Sequence, residues 1–296
     1  MQINLALAQI NTKLGDVTAN LEKHLALAKE ARKSGADLLV FPELSLSGYV
    51  LQDLVPAVAC RPAEDDPVFE PLLKASRDLD LVVGFVDEDA RHRFYIAAAY
   101  LSRGEVLHVH HKVHLPTYTI FDERRFLAAG DSFRAFDTRF ARAGLLICED
   151  FWHVSSPYLL WLDGADILIL TSASPGRGVT DEQLGSAKWA ETVNQVYAGL
   201  FTVFTAHTNR VGFEDGLNFW GGATAYDPDG KLIAKGPYDE EALTYAELDL
   251  AQIRRTRARL PLLRDERPEL VQNELERILQ GRVDKSKGIM PSRDTP

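Results

Sequence analysis

Three stretches of this chain are apolar almost without interruption: DLLVFPE at 37–43, AGLLICED at 143–150 and ADILILTSAS at 165–174. A strand with one wet face alternates apolar and polar residues, whereas a run without alternation needs cover on both faces. None of the runs approaches the roughly 20 apolar residues of a membrane span. The chain must therefore build sheet with a layer on each side, and the segments between the runs have to supply those layers. NLEKHLALAKEARKSG (20–35) places Leu21, Leu25 and Ala28 at helical spacing and stops at Gly35. Residues 66–80, SPYLLWLDGA (156–165) and EQLGSAKWAETVNQVYAG (182–199) read as further helices.

The remaining strands are of mixed kind. INLALAQI (3–10) alternates, while LDLVVGFVDE (79–88) and GLFTVFTAHTNRVG (199–212) are apolar or β-rich. FYIAAAYL (94–101) and VLHVHHKVH (106–114) flank the turn SRGE and read as a hairpin. TAYDPDGKLIAKG (224–236) is strand–turn–strand around Asp-Pro-Asp-Gly, and EALTYAELDL (241–250) is a last strand. Hairpins among crossovers argue against a purely parallel, doubly wound sheet. The simplest expectation is one α/β domain with two layers of strand between helices. From about residue 265 the chain turns charged and helical (RPELVQNELERILQ), and it ends in KSKGIMPSRDTP (285–296), expected to be disordered.

Composition narrows the partners. A net charge of −10 argues against nucleic acid or an anionic membrane. Two cysteines, Cys60 and Cys148, give no disulfide framework and suit a reduced, cytoplasmic setting. MQINLALAQINTKLGD has no basic leader region and reads as a first strand rather than a signal peptide. Cys60, in AVACRPAEDD, reads as structural or incidental.

Three strand ends carry reactive groups: Glu43 in FPELSLSGY, Lys112 in HKVHLP and Cys148 in LLICED. Strand ends are where α/β folds place chemistry. A thiol attacks as thiolate, or when a base takes its proton during attack. Glu43, desolvated beside Phe41 and Pro42, could be that base; Lys112 could hold an oxyanion, with the Glu149 N–H as a second donor. Each residue also has a plainer reading. A lone Cys in an apolar strand is usually core, a Glu after Pro is usually a cap, and a Lys among histidines is usually solvated. Glu149 and Asp150 beside Cys148 would raise the thiol pKa, which by itself tells against a resting thiolate. A rival uses His108, His110 and His114, which share a face with Lys112 at period two and could ligate zinc in a metal-dependent amidohydrolase; it leaves Cys148 unexplained.

Taken together, FPELSLSGY, HKVHLPTYTIFDERRFLAAGD and GLLICEDFWH resemble the three motifs of the nitrilase (carbon–nitrogen hydrolase) superfamily, in the right order, and the likeness runs from about Met1 to Asp249. The resemblance implies a four-layer αββα sandwich over 1–265, with 266–296 as a helical extension and tail. It implies Glu43 as general base, Lys112 as oxyanion stabiliser, Cys148 as nucleophile and Glu123 as a supporting second glutamate. It implies a small-molecule amide substrate, no metal or other cofactor, and a homodimer or higher homo-oligomer. CED in place of CWE is similar to amide hydrolases rather than true nitrilases. The nearest likeness is to the glutaminase domain of glutamine-dependent NAD synthetases. On that likeness Tyr118, Glu149, Ser174, Tyr49, Trp152 and Arg177 would contact substrate, Arg177 from a loop shorter than the family's. The expected activity is a thiol amidase releasing carboxylate and ammonia. An N-carbamoyl amino acid amidohydrolase or a glutaminase partner of a separate synthetase is the alternative.

Overall fold

Alternation within single strands decides the layering of the computed structural model, which describes residues 1–180 and 183–286. In β1 (Gln2–Gln9), Ile3, Leu5 and Leu7 join one core cluster and Ala6 and Ala8 another. The larger side chains face a second sheet; the alanines lie beneath helices, where small residues let a helix approach. Around β1 the first half of the chain supplies α1 (Val17–Lys33), β2 (Leu38–Val40), α2 (Phe69–Ala75), β3 (Asp80–Glu88), β4 (Phe94–Ser102) and β5 (Glu105–His111). The second half supplies β6 (Phe136–Asp137), β7 (Arg142–Ile147), α3 (Ser155–Leu162), β8 (Ile167–Ser172), α4 (Gly185–Phe201) and β9 (Phe204–Asn209). It closes with β10 (Thr224–Tyr226), β11 (Leu232–Lys235) and β12 (Ala242–Asp249).

Two six-stranded sheets result, in the orders β12-β1-β2-β3-β4-β5 and β11-β10-β9-β8-β7-β6. Each has two parallel pairs at its centre, β1–β2–β3 and β7–β8–β9, flanked by antiparallel neighbours. Leu38, Val40 and Val82 of the first sheet pack against Leu145, Ile147, Ile169 and Phe204 of the second. Burying each such side chain is worth about 2 kcal/mol of transfer free energy. Ala28 and Ala31 of α1 and Phe69 of α2 cover the outer face of the first sheet, while Leu160 and Trp161 of α3 and Tyr197 and Phe201 of α4 cover that of the second. The architecture is the expected four-layer αββα sandwich.

Several local expectations change. The buried stripe of α1 is Asn20, His24, Ala28 and Ala31, with Leu21 and Leu25 only partly buried beside it. The reason is the loop after Glu43, which rests on this helix. His24 Nε2 meets Ser45 Oγ at 2.9 Å and Asn20 Nδ2 donates to the Leu46 carbonyl at 3.0 Å. Burial pulls His24 down to a pKa of about 4, so it serves as a neutral hydrogen-bonding group. The run 37–43 forms strand only over Leu38–Val40, because the chain leaves the ladder to build that loop. The helix expected at 66–80 is Phe69–Ala75, and residues 199–201, expected as strand, end α4. Among the elements not foreseen are the hairpin Val211–Glu214 with Leu217–Trp220 and the helix Ala251–Arg259. The charged C-terminal segment is helical over Pro268–Ser286, and the tail from 287 onward lies outside the described residues. No described helix is long and apolar enough to cross a membrane.

Candidate active site

Glu43, Lys112 and Cys148 each stand just past the end of a strand. Glu43 follows β2, Lys112 follows β5 and Cys148 follows β7. β4 and β5 each reverse direction, so β5 ends at the same edge of the first sheet as β2 and β3. The segment after Glu43 crosses β3 closely at Gly84, where a Cβ would come within 2.3 Å of the Pro42 carbonyl oxygen. Lys112 is held by its own backbone: its N–H donates to the Ile96 carbonyl and its carbonyl accepts from Gly130 N, both at 2.8 Å. Cys148 was expected to finish a strand. It instead opens a 3₁₀ turn (Cys148–Trp152) at φ +42°. A non-glycine residue held there stores strain of about 1–3 kcal/mol, a feature that concentrates at functional sites.

The side chains converge. Lys112 Nζ donates to Glu43 Oε1 and to Glu123 Oε1, each at 2.8 Å. Tyr49 OH donates to the same Glu123 oxygen at 2.5 Å, and the backbone N–H of Ala173, just after β8, donates to Glu43 Oε2 at 2.7 Å. Glu43, Lys112 and Glu123 are all buried, while Cys148 is only partly so. Burial alone would lower Lys112, but Glu123 and Glu43 outweigh it and keep the ammonium well above its ordinary pKa. Burial lifts Glu123 to about 7, with Lys112 opposing and Glu43 adding to the rise. Burial also pushes the Cys148 thiol well up; Glu43 adds to that, Lys112 opposes it, and Glu123 and Glu149 raise it further. The resting sulfur is therefore a thiol within electrostatic reach of a carboxylate and an ammonium.

The other expected residues fall in three places. Tyr118 OH donates to Glu149 Oε2 at 2.8 Å at the rim, where Tyr118 is 46% exposed and Glu149 is buried. Arg177 is exposed; it lies over the Phe121 ring at 4.9 Å and reaches Thr119 Oγ1 at 3.2 Å. Ser174 and Trp152 share a small cavity with Cys148, Ser172 and His207. Asn209 holds the Ser174 backbone from both sides, accepting from its N–H and donating to its carbonyl. Tyr49 sits edge-on to Phe219, its backbone N–H fixed by Glu214, which Arg210 in turn binds. A separate cavity of about 360 Å³ touches Tyr49, Glu123 and Phe121, and Cys148 is not in its wall. Asn209, Glu214 and Asp150 were missed by sequence reasoning. Only Asp150 carried a signal, its place two residues after the thiol.

The histidines go elsewhere. His108 stacks on Phe136, His110 binds Asp150, and His114 stacks on His153 beyond the end of β5. Among the described residues no three His, Cys, Asp or Glu side chains converge as metal ligands. Cys60 is buried in the core under α2, and burial raises its thiol pKa.

Similarity to known proteins agrees with this arrangement. The carbon–nitrogen hydrolase family profile matches residues 4–258. The glutamine-dependent NAD(+) synthetase of Acinetobacter baylyi is 32% identical over 253 residues, 84% of this chain and 45% of that protein. The chain thus spans about half the length of the NAD synthetases it matches. N-carbamoylputrescine amidase of Arabidopsis thaliana is 28% identical over 86% of this chain and 89% of its own length. A carbon–nitrogen hydrolase structure from Helicobacter pylori superposes with a TM-score of 0.81 at 26% identity, over 93% of this chain and 98% of that one. The extent of the profile match, the shared sandwich and the convergence of Glu, Lys and Cys lead to one assignment: this chain belongs to the carbon–nitrogen hydrolase family of the nitrilase superfamily.

Proposed function

We propose that the protein is a thiol amidase that hydrolyses a small amide to carboxylate and ammonia through a thioester on Cys148. The observation that carries this reading is the buried Lys112 ammonium gripped by Glu43 and Glu123, with the Cys148 thiol within electrostatic reach of all three. Glu43 takes the thiol proton as sulfur attacks the carbonyl, so no resting thiolate is needed. Lys112 and the Glu149 N–H stabilise the oxyanion. The C–N bond breaks as Glu43 passes the proton to departing ammonia. Water, deprotonated by Glu43 and oriented by Glu123, then cleaves the thioester.

The rim favours a substrate with an ammonium group. Glu149 and Tyr118 form an acceptor site for such a cation, and Arg177 supplies an exposed positive charge suited to a carboxylate. Ser174, Trp152 and Tyr49 complete the proposed contacts. Glutamine carries both charges; an N-carbamoyl diamine, whose second amine stays free, carries the first alone. These two substrate types correspond to the names of the two kinds of relative, and a glutaminase delivering ammonia to a separate synthetase is the form the first would take. Residues 1–265 form the hydrolase domain in this reading, and 266–296 an extension. The free thiols fit a cytoplasmic setting. Exposed Trp189, Val196 and Leu200 along α4 supply an apolar face for a homo-oligomer.

An ammonia-release screen over glutamine, N-carbamoyl amines and amino acids, and aliphatic amides tests the reading. Release abolished by iodoacetamide and unaffected by EDTA supports it. Release abolished by EDTA alone would favour histidine-held metal and contradict the thiol mechanism.

A further inference from the structure

Asp150 is fully buried, two residues beyond Cys148, where an unsupported carboxylate would be costly. Four donors surround it. Oδ1 accepts from the backbone N–H of Val113 at 3.0 Å and of His114 at 2.9 Å. Oδ2 accepts from His110 Nε2 at 2.9 Å and from the backbone N–H of Ile147 at 3.2 Å. Three of these donors flank Lys112 on both sides along the chain. The fourth belongs to the residue before Cys148.

The two segments belong to different sheets that share no strand ladder. What joins the sheets is mainly apolar packing, which is non-directional and does not fix the relative position of two polar side chains. A carboxylate with donors from both sides does. Burial would raise the Asp150 carboxyl, but His110 and the backbone N–H groups of His114 and Ile147 outweigh it and hold the carboxyl below its ordinary pKa. The charged form, with acceptor capacity on both oxygens, is the form this site keeps. His110 is itself buried and packs against the Phe133 ring at 5.5 Å.

We propose that Asp150, fixed by His110, is a positioning residue that sets the Lys112 ammonium against the Cys148 sulfur. It touches neither substrate nor the reacting atoms and acts through the two segments it joins. The proposal rests on the reading of Cys148 as nucleophile. It extends that reading by assigning the placement of the Cys148 turn against the Lys112 segment to one carboxylate outside the cluster, alongside the Ala173 N–H bond that ties Glu43 to the second sheet. Asp150→Asn preserves shape but replaces one acceptor with a donor. His110 can change tautomer to meet it; the Ile147 N–H cannot, so the turn bearing Cys148 shifts away from Lys112.

The test is the pH profile of Cys148 alkylation by iodoacetamide, followed by intact mass and peptide mapping on the full chain. It needs no substrate. The shifted turn changes what the thiol feels from Lys112, which lowers it, and from Glu43 and Glu123, which raise it, so in Asp150→Asn the profile moves by about one unit from the wild-type position and alkylation at pH 8 changes about tenfold. With a substrate in hand, kcat falls about 10- to 100-fold with KM within about threefold. His110→Ala moves the profile the same way, and His110→Gln, which keeps a donor, restores it. A wild-type profile in folded Asp150→Asn overturns the proposal. Should that variant not fold, the His110 pair decides: a profile unmoved in His110→Ala, or moved equally in His110→Gln, overturns it. If Cys148→Ala still turns over substrate, the nucleophile reading fails while the alkylation result stands on its own.

Discussion

Glu43 and Lys112, 69 residues apart in the chain, meet at 2.8 Å as a buried ion pair, and Glu123 binds the same ammonium at the same distance. Lys112 is thus the counter-charge for two buried carboxylates. Lys112→Met leaves both without it, and breaking a buried pair in this way costs about 3–5 kcal/mol. Urea unfolding at pH 7 should show that loss, with part of it recovered at pH 5 as Glu123 gains a proton. Turnover should be abolished at both pH values. A variant of wild-type stability would mean that the carboxylates are compensated some other way.

Glu123 gives the cluster a pH signature. Its pKa in the folded protein is raised from 4.5 to about 7, mainly by burial, so folding favours its protonated form. A raised acid contributes stability below its unfolded pKa and loses that contribution as pH climbs through the folded value. The wild type should therefore lose melting temperature relative to Glu123→Gln between pH 4.5 and 7, and the gap should be constant above that. If ionised Glu123 orients Lys112 and water, kcat/KM rises through pH 7 in the wild type and lacks that limb in Glu123→Gln. The midpoint belongs to the coupled cluster rather than to one residue.

Tyr118 and Glu149 separate substrate classes. Tyr118→Phe removes the 2.8 Å hydrogen bond that orients the Glu149 carboxylate. For amides carrying an ammonium group, KM should rise about tenfold, in line with one hydrogen bond to a charged group. For simple aliphatic amides KM should stay within about twofold. Equal effects on both classes would remove Glu149 as the cation-binding group.

Gly84 fixes the loop that carries Glu43. A methyl at residue 84 would meet the Pro42 carbonyl at 2.3 Å and the Leu44 nitrogen at 2.6 Å, both backbone atoms that cannot swing away. Gly84→Ala should cost about 1–3 kcal/mol and lower kcat more than it changes KM, because Glu43 moves with the loop. Thermal melts paired with steady-state kinetics check both effects.

Much of this was legible in the residues. Unbroken apolar runs required two covered faces, and β2, β7 and β8 have them. Glu43, Lys112 and Cys148 were visible as strand-end groups, but their meeting was not, since no local pattern encodes contacts between separate sheets. α1 was misjudged for a physical reason. Spacing pointed to Leu21, Leu25 and Ala28, of which Ala28 is buried, whereas the Glu43 loop recruits Asn20 and His24, polar side chains that hydrophobic periodicity does not count. Asp150 was read only as a charge that disfavours thiolate. Its value as a four-way acceptor depends on Val113, His114 and His110, which only folding brings near.

The central claim is a covalent acyl-enzyme on Cys148. Acid quenching during turnover of the best amide from the screen, followed by intact mass and peptide mapping, tests it directly. The account predicts an added mass equal to the acyl group, located on the peptide containing Cys148, released by hydroxylamine and absent from an inactive Cys148→Ala protein. Turnover retained by Cys148→Ala, with no adduct on the wild type, would contradict it.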